Sequence, residues 1–347
     1  MFRPVACDGF DVEKNPVLQT TAIRPAEAKA TYRRMFEAEV ARFCDAGGKL
    51  AADFAVETAC PLCDSSDATP FDPDRDSSYQ RCTACGCVYP HPRPSDVVID
   101  DFARHSPALR FFHEHILLAT ESVRRDGVFQ PLLELITERV APGGRVLELG
   151  CAVGTFLQLL SDAGYRAEGI ELCDYSVAHC ESLGHTIHDQ PIEKCELTAG
   201  SFDAVCAWGV FGHLQYAQRS VRAMYDALKP GGKLIFTATN IQSFEYMTLK
   251  SRAMNPFLRY VYYTPENIRE LLTRIGFVDI AVSTPGETDV QTVRETLGQP
   301  DPALGDFLNS VLFDEGASAD AQRASLQRWI ASENRSGYML VAASKPA

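Results

Sequence analysis

One stretch of this chain constrains the fold more than any other. Residues 145–149 read RVLEL, an apolar run typical of a strand buried on both faces of a parallel sheet. Gly150 and Gly154 bracket the turn that follows, and residues 155–160 carry apolar side chains at helical spacing. Strand, glycine turn and helix predict the first half of a βαβ unit, whose helix start presents free backbone N–H groups to a ligand.

An acidic residue at the end of the next strand indicates what this unit binds. Residues 166–172 predict that strand, and Glu171 lies 21 residues after Gly150, where a carboxylate can accept hydrogen bonds from both ribose hydroxyls. A dinucleotide site needs a third glycine for the close approach of pyrophosphate, and Ala152 stands in its place. The pattern therefore predicts a nucleoside site. A tight βα turn without a ligand is the alternative that the loop alone leaves open.

Composition limits the classes of protein to which the chain can belong. Its 347 residues are 46% hydrophobic, which is enough for one large domain and a smaller unit. We expect no transmembrane helix, because no run of 18 apolar residues occurs. The start of the chain lacks the apolar core of a signal peptide, so we expect a cytoplasmic protein. A net charge of −13 disfavours nucleic acid as a partner and favours a small-molecule acceptor.

Two CxxC pairs predict a metal site. Cys60 and Cys63 form the first pair, and Cys82 and Cys85 form the second after 18 intervening residues. Four thiolates in this arrangement suit a tetrahedral zinc ion with no open position, which would be structural. Cys87 is a spare thiol nearby, and four unrelated buried cysteines are the alternative. The polar linker at 64–78 should depend on such a metal for its fold.

The glycine turn and the cysteine pairs resemble parts of one protein family. Residues 147–154 resemble motif I of class I S-adenosylmethionine-dependent methyltransferases, hydrophobic-acidic-x-Gly-x-Gly-x-Gly, with Ala152 departing at the middle glycine. The Cys-x-x-Cys-Gly knuckle and the Pro-Arg-Pro-Ser exit at 92–95 resemble the small zinc ribbon of many bacterial methyltransferases, some acting on sugars or natural products. The resemblance covers roughly residues 55–345. It implies an α/β fold: a Rossmann-like seven-stranded sheet with helices on both faces, preceded by the ribbon.

The resemblance also predicts how the chain is divided. We expect an N-terminal helical segment (1–54), the zinc ribbon (55–95), a helical cap (96–141) and an S-adenosylmethionine-binding domain (142–347) with a helical insertion (286–336). Helices are predicted at 25–43, 109–125 and 129–140, and at 302–313 and 319–331 within the insertion. The fourth strand is predicted at 201–213, and a seventh, antiparallel strand at 337–344. The insertion should cover the substrate pocket or form a homodimer contact.

The residues that the resemblance assigns to the cofactor lie around the first four strands. They come from five places: the acid of motif I, the glycine turn, the ribose-binding acid, the adenine-binding segment and the end of the fourth strand. They are Glu148, Gly150, Cys151, Ala152, Gly154, Glu171, Leu172, Asp189, Gln190 and Trp208.

The catalytic candidates follow the fourth and fifth strands. Many relatives have Glu-His where this chain has Gly212-His213, so His213 is the group left to act as base. We expect a rate that rises with pH through the titration of this imidazole, since only its neutral form accepts a proton. Tyr262 and Tyr263 are weaker candidates from a long connection at 241–263, expected to be a substrate lid. His113 and His115 are expected to be solvated helix residues.

Four functions remain open from the sequence. Methyl transfer to an oxygen or nitrogen of a small molecule, such as a sugar or natural-product intermediate, is favoured. Carbon methylation of a nucleotide sugar is the nearest alternative. A macromolecule methyltransferase that docks RNA or protein through the ribbon is the third, and a cofactor-binding module without chemistry is the fourth.

Overall fold

The computed structural model describes residues 25–74, 76–286 and 288–347. Its first element is helix α1 (Ala26–Val40), extended by a 3₁₀ turn (Ala41–Phe43). The helix buries Phe36, and Phe43 joins it in a cluster with Phe102 and Phe257. The helix predicted at 25–43 is therefore confirmed, and residues 1–24 of the predicted N-terminal segment lie outside the described part.

The cysteine-rich region is a small antiparallel unit of five strands. These are β1 (Ala55–Val56), β2 (Ala68–Asp72), β3 (Asp76–Cys82), β4 (Val88–Pro90) and β5 (Arg93–Pro94). Strands β2, β3 and β4 form one sheet, and β1 pairs with β5 to close the unit at its base. Much of the polar 64–78 segment is thus a β-hairpin arm, held by pairing with the strand that carries Cys82.

A nearly continuous helical path follows the ribbon. Helix α2 (Asp96–His105) leads to α3 (Pro107–Phe112), α4 (Glu121–Arg124) and α5 (Gln130–Thr137). Two π-helical segments, His113–Leu117 and Arg125–Phe129, join the last three helices. The sequence predicts a break between 125 and 129, and the structure widens the helix there instead of ending it.

The central sheet has the predicted seven strands. They are β6 (Arg145–Leu149), β7 (Arg166–Ile170), β8 (Thr186–His188), β9 (Phe202–Ala207), β10 (Leu228–Thr239), β11 (Val278–Ser283) and β12 (Tyr338–Ser344). Their spatial order is β11-β12-β10-β9-β6-β7-β8. As predicted, β12 runs antiparallel to both of its neighbours. The strand order reverses between β6 and β9, which is where open α/β sheets bind ligands.

Helices cover both faces of this sheet. They are α6 (Thr155–Asp162), α7 (Asp174–Ser182), α8 (Ala217–Ala227), α9 (Phe244–Leu249) and α10 (Pro265–Ile275). Consecutive strand residues point to opposite faces, so Leu147 packs in the core with α8 and α10 while Val146 packs with α5 and α6. The predicted Rossmann-like architecture is confirmed.

The insertion contains three helices rather than the predicted two. Helices α12 (Gly305–Phe313) and α13 (Ala317–Ser332) match the prediction, and α11 (Asp289–Leu297) was missed. Their buried residues form a cluster with Leu249 of α9. The insertion therefore packs on the 241–263 connection.

The ribbon is docked on the same core. Cys60, Leu62 and Cys82 share the main hydrophobic cluster with α10, and the Asn267 side chain donates a hydrogen bond to the Cys85 carbonyl at 3.3 Å. Among the helices of the described ranges, none is both long and apolar enough to cross a bilayer.

Candidate cofactor site and metal centre

The glycine turn after β6 keeps its backbone shape despite the missing glycine. Gly150 and Gly154 have φ values of 72° and 79°, and Ala152 between them has φ 48°. A Cβ on Gly150 would lie 2.4 Å from Val210 Cγ2, so no larger residue fits there. Ala152 thus adopts the left-handed conformation that costs an L-residue about 1–2 kcal/mol. The residue at this position departs from motif I, but its main chain keeps the left-handed conformation of the glycine that it replaces.

Glu171 is fixed at the end of β7 by three backbone N–H groups. Its Oε2 accepts the Ala152 N–H at 2.9 Å, and its Oε1 accepts those of Leu172 and Cys173 at 2.8 Å each. A carboxylate offers about four acceptor positions, so one position remains for a ligand hydroxyl. The glycine turn and the acid, which the sequence predicted separately, are therefore joined by a direct hydrogen bond.

A cavity of about 330 Å³ lies at the carboxyl ends of β6, β7 and β9. Five predicted site residues line it: Gly150, Ala152, Glu171, Leu172 and His213. Sequence reasoning missed several other lining residues, among them Asp96, Asp100, His113, Ile192, Val210 and Tyr216. Ile192 is the last residue of the predicted adenine-binding segment (189–192), so the segment was located correctly, although its lining residues are Pro191 and Ile192 rather than Asp189 and Gln190.

Six predicted cofactor residues do not line this cavity: Glu148, Cys151, Gly154, Asp189, Gln190 and Trp208. Asp189 and Gln190 are exposed, and their carbonyls accept bonds from Arg104 and from the Cys195 thiol. Trp208 packs edge-on against Phe156 at 5.4 Å. From this part of the chain the cavity is lined instead by residues 191–194, two apolar and two charged.

The other three residues form the floor beneath the glycine turn. Cys151 is buried against Cys180 and Leu157, and Gly154 is the residue from which α6 begins. Glu148 is fully enclosed, and its Oε2 has no hydrogen-bond partner among the residues described. Burial, with the Cys180 thiol and Glu171, raises the pKa of Glu148 well above its usual range. This oxygen is enclosed and does not line the cavity, so the structure gives it no contact with a ligand there.

His213 reaches the cavity from a position other than the predicted one. Strand β9 ends at Ala207, and Gly209 turns the chain with φ 74°, so His213 lies in a 3₁₀ turn (Phe211–His213). Its side chain keeps exposed surface on the cavity, although protein surrounds it. Burial and the Arg259 charge lower the pKa of His213 to about 4. The imidazole is therefore neutral at pH 7, and the expected titration near neutrality moves into the acidic range.

Tyr262 and Tyr263 lie outside the cavity. Both are fully buried. The Tyr263 hydroxyl donates to the Phe211 carbonyl at 3.0 Å, and the Tyr262 hydroxyl accepts the Asn255 N–H at 3.3 Å. Burial raises the pKa of both phenols. Their geometry supports bracing and offers no contact for catalysis, and the 241–263 connection is a packed element of the fold.

His113 is buried rather than solvated. Its Nδ1 lies 2.5 Å from the Ser176 hydroxyl, its ring lines the cavity, and burial lowers its pKa. His115 is exposed, as expected. The available signal was spacing, since His113 shares a helix face with the buried Ile116 and Leu117.

The four predicted cysteines converge. The Sγ atoms of Cys60, Cys63, Cys82 and Cys85 all lie within 4.8 Å of one another. This donor set fits a tetrahedral zinc ion with Zn–S bonds of about 2.3 Å. Cys87 Sγ lies 3.2 Å from Cys60 Sγ, so the spare thiol borders the same cluster.

The two knuckles share one backbone device. The residue after each pair, Asp64 or Gly86, has a positive φ, 57° or 74°. In each knuckle the N–H of this residue donates to the carbonyl of the first cysteine, Asp64 to Cys60 and Gly86 to Cys82, at 2.9 Å each, which closes the turn that carries the two thiols.

Comparison with known proteins agrees with this geometry. Residues 123–282 match the family model described as "Methyltransferase domain". The ubiquinone biosynthesis O-methyltransferase of Nitrosococcus oceani is 34% identical over 131 residues, which are 33% of this chain and 56% of that protein. The tRNA U34 carboxymethyltransferase of Alcanivorax borkumensis is 26% identical over 188 residues, 50% and 58% of the two chains. This chain thus spans little more than half the length of these relatives.

A solved structure shares the fold. Phosphoethanolamine N-methyltransferase 2 of Haemonchus contortus, determined with S-adenosyl-L-methionine, has a TM-score of 0.51 at 20% identity. The match covers 75% of this chain and 63% of that one. Fold and family match agree: residues 123–282, which are 160 of the 347 residues, match a methyltransferase domain, and the fold is shared with this methyltransferase structure.

Proposed function

We propose that this protein transfers the methyl group of S-adenosylmethionine to an oxygen or nitrogen of a small molecule. One observation carries the proposal. Glu171, held by three backbone N–H groups, and His213, neutral at pH 7, line the same cavity at the switch point of the sheet. Glu171, as the ribose-binding acid, and His213, as the proton acceptor, thus line one cavity.

The chain's own residues account for binding and alignment. S-adenosylmethionine supplies the methyl group as a sulfonium electrophile. Glu171 accepts a ribose hydroxyl, and the turn at Gly150 and Ala152 lets the main chain approach the ligand. Holding donor and acceptor in line can lower the barrier by about 7–11 kcal/mol.

His213 accounts for the proton. As the acceptor heteroatom bonds to the methyl carbon, the carbon–sulfur bond breaks and its electron pair stays on sulfur. The heteroatom must lose its proton, and a ring nitrogen of His213 accepts it. A low pKa keeps this nitrogen free of a proton at neutral pH.

Substitution of Glu171 tests the cofactor assignment. A lost charge-assisted hydrogen bond costs about 1.5–3 kcal/mol, so Glu171→Ala should weaken S-adenosylmethionine binding by about tenfold or more in calorimetry. Glu138→Ala, an exposed carboxylate elsewhere, is the matched control and should bind normally. Equal affinity in Glu171→Ala, or a preference for NAD, would contradict the proposal.

The small-molecule class rests on charge. A net charge of −13 disfavours broad docking on phosphate backbones, which clustered cations bind. The tRNA-modifying relative makes RNA the competing acceptor. A salt-dependent mobility shift with tRNA would favour RNA as the acceptor. Turnover with a protein-free small-molecule extract would favour a small-molecule acceptor.

We also propose that Cys60, Cys63, Cys82 and Cys85 hold one structural zinc ion. Their sulfur cluster supports this, since four thiolates leave no open position for catalysis. The docking of Cys60 and Cys82 in the main core indicates that the metal stabilises more than the ribbon.

A further inference from the structure

A second, smaller cavity lies at the carboxyl end of β10. It has a volume of about 190 Å³, and polar side chains from separate segments line it, among them Thr239, Glu245, Tyr246, Arg259, Asp289 and Tyr338. We call it the Arg259 cavity.

The Arg259 cavity borders the turn that carries His213. A Cβ built on Gly212 would lie 3.2 Å from Arg259 Cδ, so the arginine packs against the residue before His213. Consecutive Cα atoms are about 3.8 Å apart. Arg259 also lowers the pKa of His213, after burial. The Arg259 side chain is therefore packed against the segment that carries the proposed base.

Among the residues that the structure describes, no carboxylate forms a hydrogen bond or close ion pair with the Arg259 guanidinium. Its Nη1 donates to the Tyr246 hydroxyl at 3.3 Å, and the neighbouring charged and polar groups are the phenols of Tyr246, Tyr338 and Tyr262 and the more distant Glu245. Within the described ranges, no carboxylate oxygen lies within 4.0 Å of its nitrogens, although Glu245 interacts with it electrostatically. A guanidinium has five N–H donors, and an enclosed, unpaired charge is costly. The unused donors point to a ligand anion.

Gly212 is the reason that the charge stays free. An acidic side chain at this position would meet Arg259 directly and neutralise it. Glycine instead leaves room for the arginine and for whatever pairs with it.

The two acids of the cavity do not neutralise Arg259. Asp289 is engaged by the Gly337 N–H and by Gln327 Nε2, the latter at 2.8 Å. Burial and Asp289 raise the pKa of Glu245 to about 7, against a small opposing effect of Arg259. A bound anion would raise it further, so Glu245 would hold its proton and donate a hydrogen bond.

We propose that the Arg259 cavity is the acceptor site and that the acceptor carries a compact anionic group, a carboxylate or a phosphate, which pairs with Arg259. The planar guanidinium suits both groups, because each accepts two parallel N–H bonds. This inference rests on the proposed methyl transfer and adds the class of its substrate.

Anion binding to the full-length protein tests this site. The probes are inorganic phosphate, benzoate and the uncharged benzamide, titrated calorimetrically at saturating S-adenosylhomocysteine. We expect phosphate or benzoate to bind and benzamide not to bind. The tighter of the two anions indicates whether the acceptor is phosphorylated or carboxylated.

Three variants connect that binding to Arg259. Arg259→Gln should weaken the bound anion at least tenfold, and Arg259→Lys should weaken it less. Arg34→Gln removes an exposed charge on α1 and should change nothing. Gly212→Asp is a second route that retains the arginine: its carboxylate should compete with the anion and weaken binding to a similar degree.

Two results would overturn the inference: wild-type protein that binds neither anion, or equal anion affinity in wild type, Arg259→Gln and Gly212→Asp. S-adenosylhomocysteine affinity, measured in each variant, reports correct folding. Wild-type protein that fails to bind S-adenosylhomocysteine would instead overturn the proposed function.

Discussion

The two cavities at the sheet edge are built in different ways. The cofactor cavity takes its main features from short consecutive segments, the glycine turn after β6 and the residues around Glu171 after β7. The Arg259 cavity takes its lining from β10, α9, the 241–263 connection, the insertion and β12. Main-chain geometry shapes the first cavity, and converging side chains shape the second.

Their charges differ in the same way. Glu171 is satisfied by the protein's own N–H groups before any ligand arrives. Arg259 donates to the Tyr246 hydroxyl and, in the described part of the chain, has no carboxylate at ion-pair distance. The first arrangement suits one constant ligand, and the second suits selection among acceptors by charge.

Metal removal should give the largest effect and should separate the two cavities. Structural zinc contributes about 10–16 kcal/mol in small modules, so Cys63→Ser should lose the metal and loosen residues 55–95. The ribbon holds the 241–263 connection through the Val88 and Tyr262 backbones, at 2.8 Å and 3.1 Å. Anion binding at Arg259 should therefore weaken more than S-adenosylhomocysteine binding. Metal analysis should find about one zinc per wild-type chain, and Cys44→Ser is the control.

A metal-free wild-type protein with unchanged hydrogen exchange in residues 55–95 would contradict the structural role. Equal weakening of both ligands would show that the ribbon supports the whole edge rather than the Arg259 side.

His213 lines the cofactor cavity and follows Gly212, the residue that Arg259 packs against. His213→Ala should lower turnover by about 10²–10⁴-fold with cofactor affinity nearly unchanged, as for loss of a general base. The folded-state pKa is about 4, so wild-type turnover should fall only as the pH approaches 4 and should not change through pH 6.5. S-adenosylhomocysteine formation with an acceptor-containing extract measures both effects.

The exposed His115 provides the control, since His115→Ala should keep full turnover. Full activity in His213→Gln would mean that the residue braces the cavity instead of accepting a proton.

Gly150→Ala tests whether backbone packing alone shapes the cofactor cavity. The new Cβ would meet Val210 Cγ2 at 2.4 Å in a left-handed conformation, and strain plus overpacking of about 3 kcal/mol corresponds to about a hundredfold loss of cofactor affinity. Gly143→Ala has a similar φ, 77°, with no atom within 4 Å of the new Cβ. Calorimetry should find a loss of cofactor affinity only in Gly150→Ala. Similar losses in both variants would mean that the left-handed conformation, rather than packing against Val210, causes the loss.

Glu245 should give the smallest effect, on stability. Its folded-state pKa of about 7 exceeds the ordinary 4.5, so the stabilisation is complete below pH 4.5 and is lost as the pH rises through 7. Between pH 5 and 8 the free energy of unfolding should fall by on the order of 1–3 kcal/mol more in wild type than in Glu245→Gln. Urea denaturation at both pH values measures this difference, and Glu138→Gln should behave like wild type. Parallel curves for wild type and Glu245→Gln would place the Glu245 pKa near its ordinary value.

The features that the sequence determined are those encoded by local main-chain geometry. The seven strands, the glycine turn, the position of Glu171 and the two cysteine knuckles all depend on short patterns. Even at Ala152, where the motif fails, the flanking glycines and the hydrogen bond to Glu171 hold the turn in its left-handed form. Strand β9 ended early for a local reason as well, since Gly209 turns the chain.

The tertiary structure decided where side chains meet. The burial of His113 against Ser176, the low pKa of His213 and the free charge of Arg259 beside Gly212 each depend on segments distant in sequence. Side-chain convergence is fixed by the packing of whole elements, and no short pattern encodes it. The sequence by itself therefore determined the glycine turn and Glu171 of the cofactor cavity, and only the fold decided which other side chains line the two cavities.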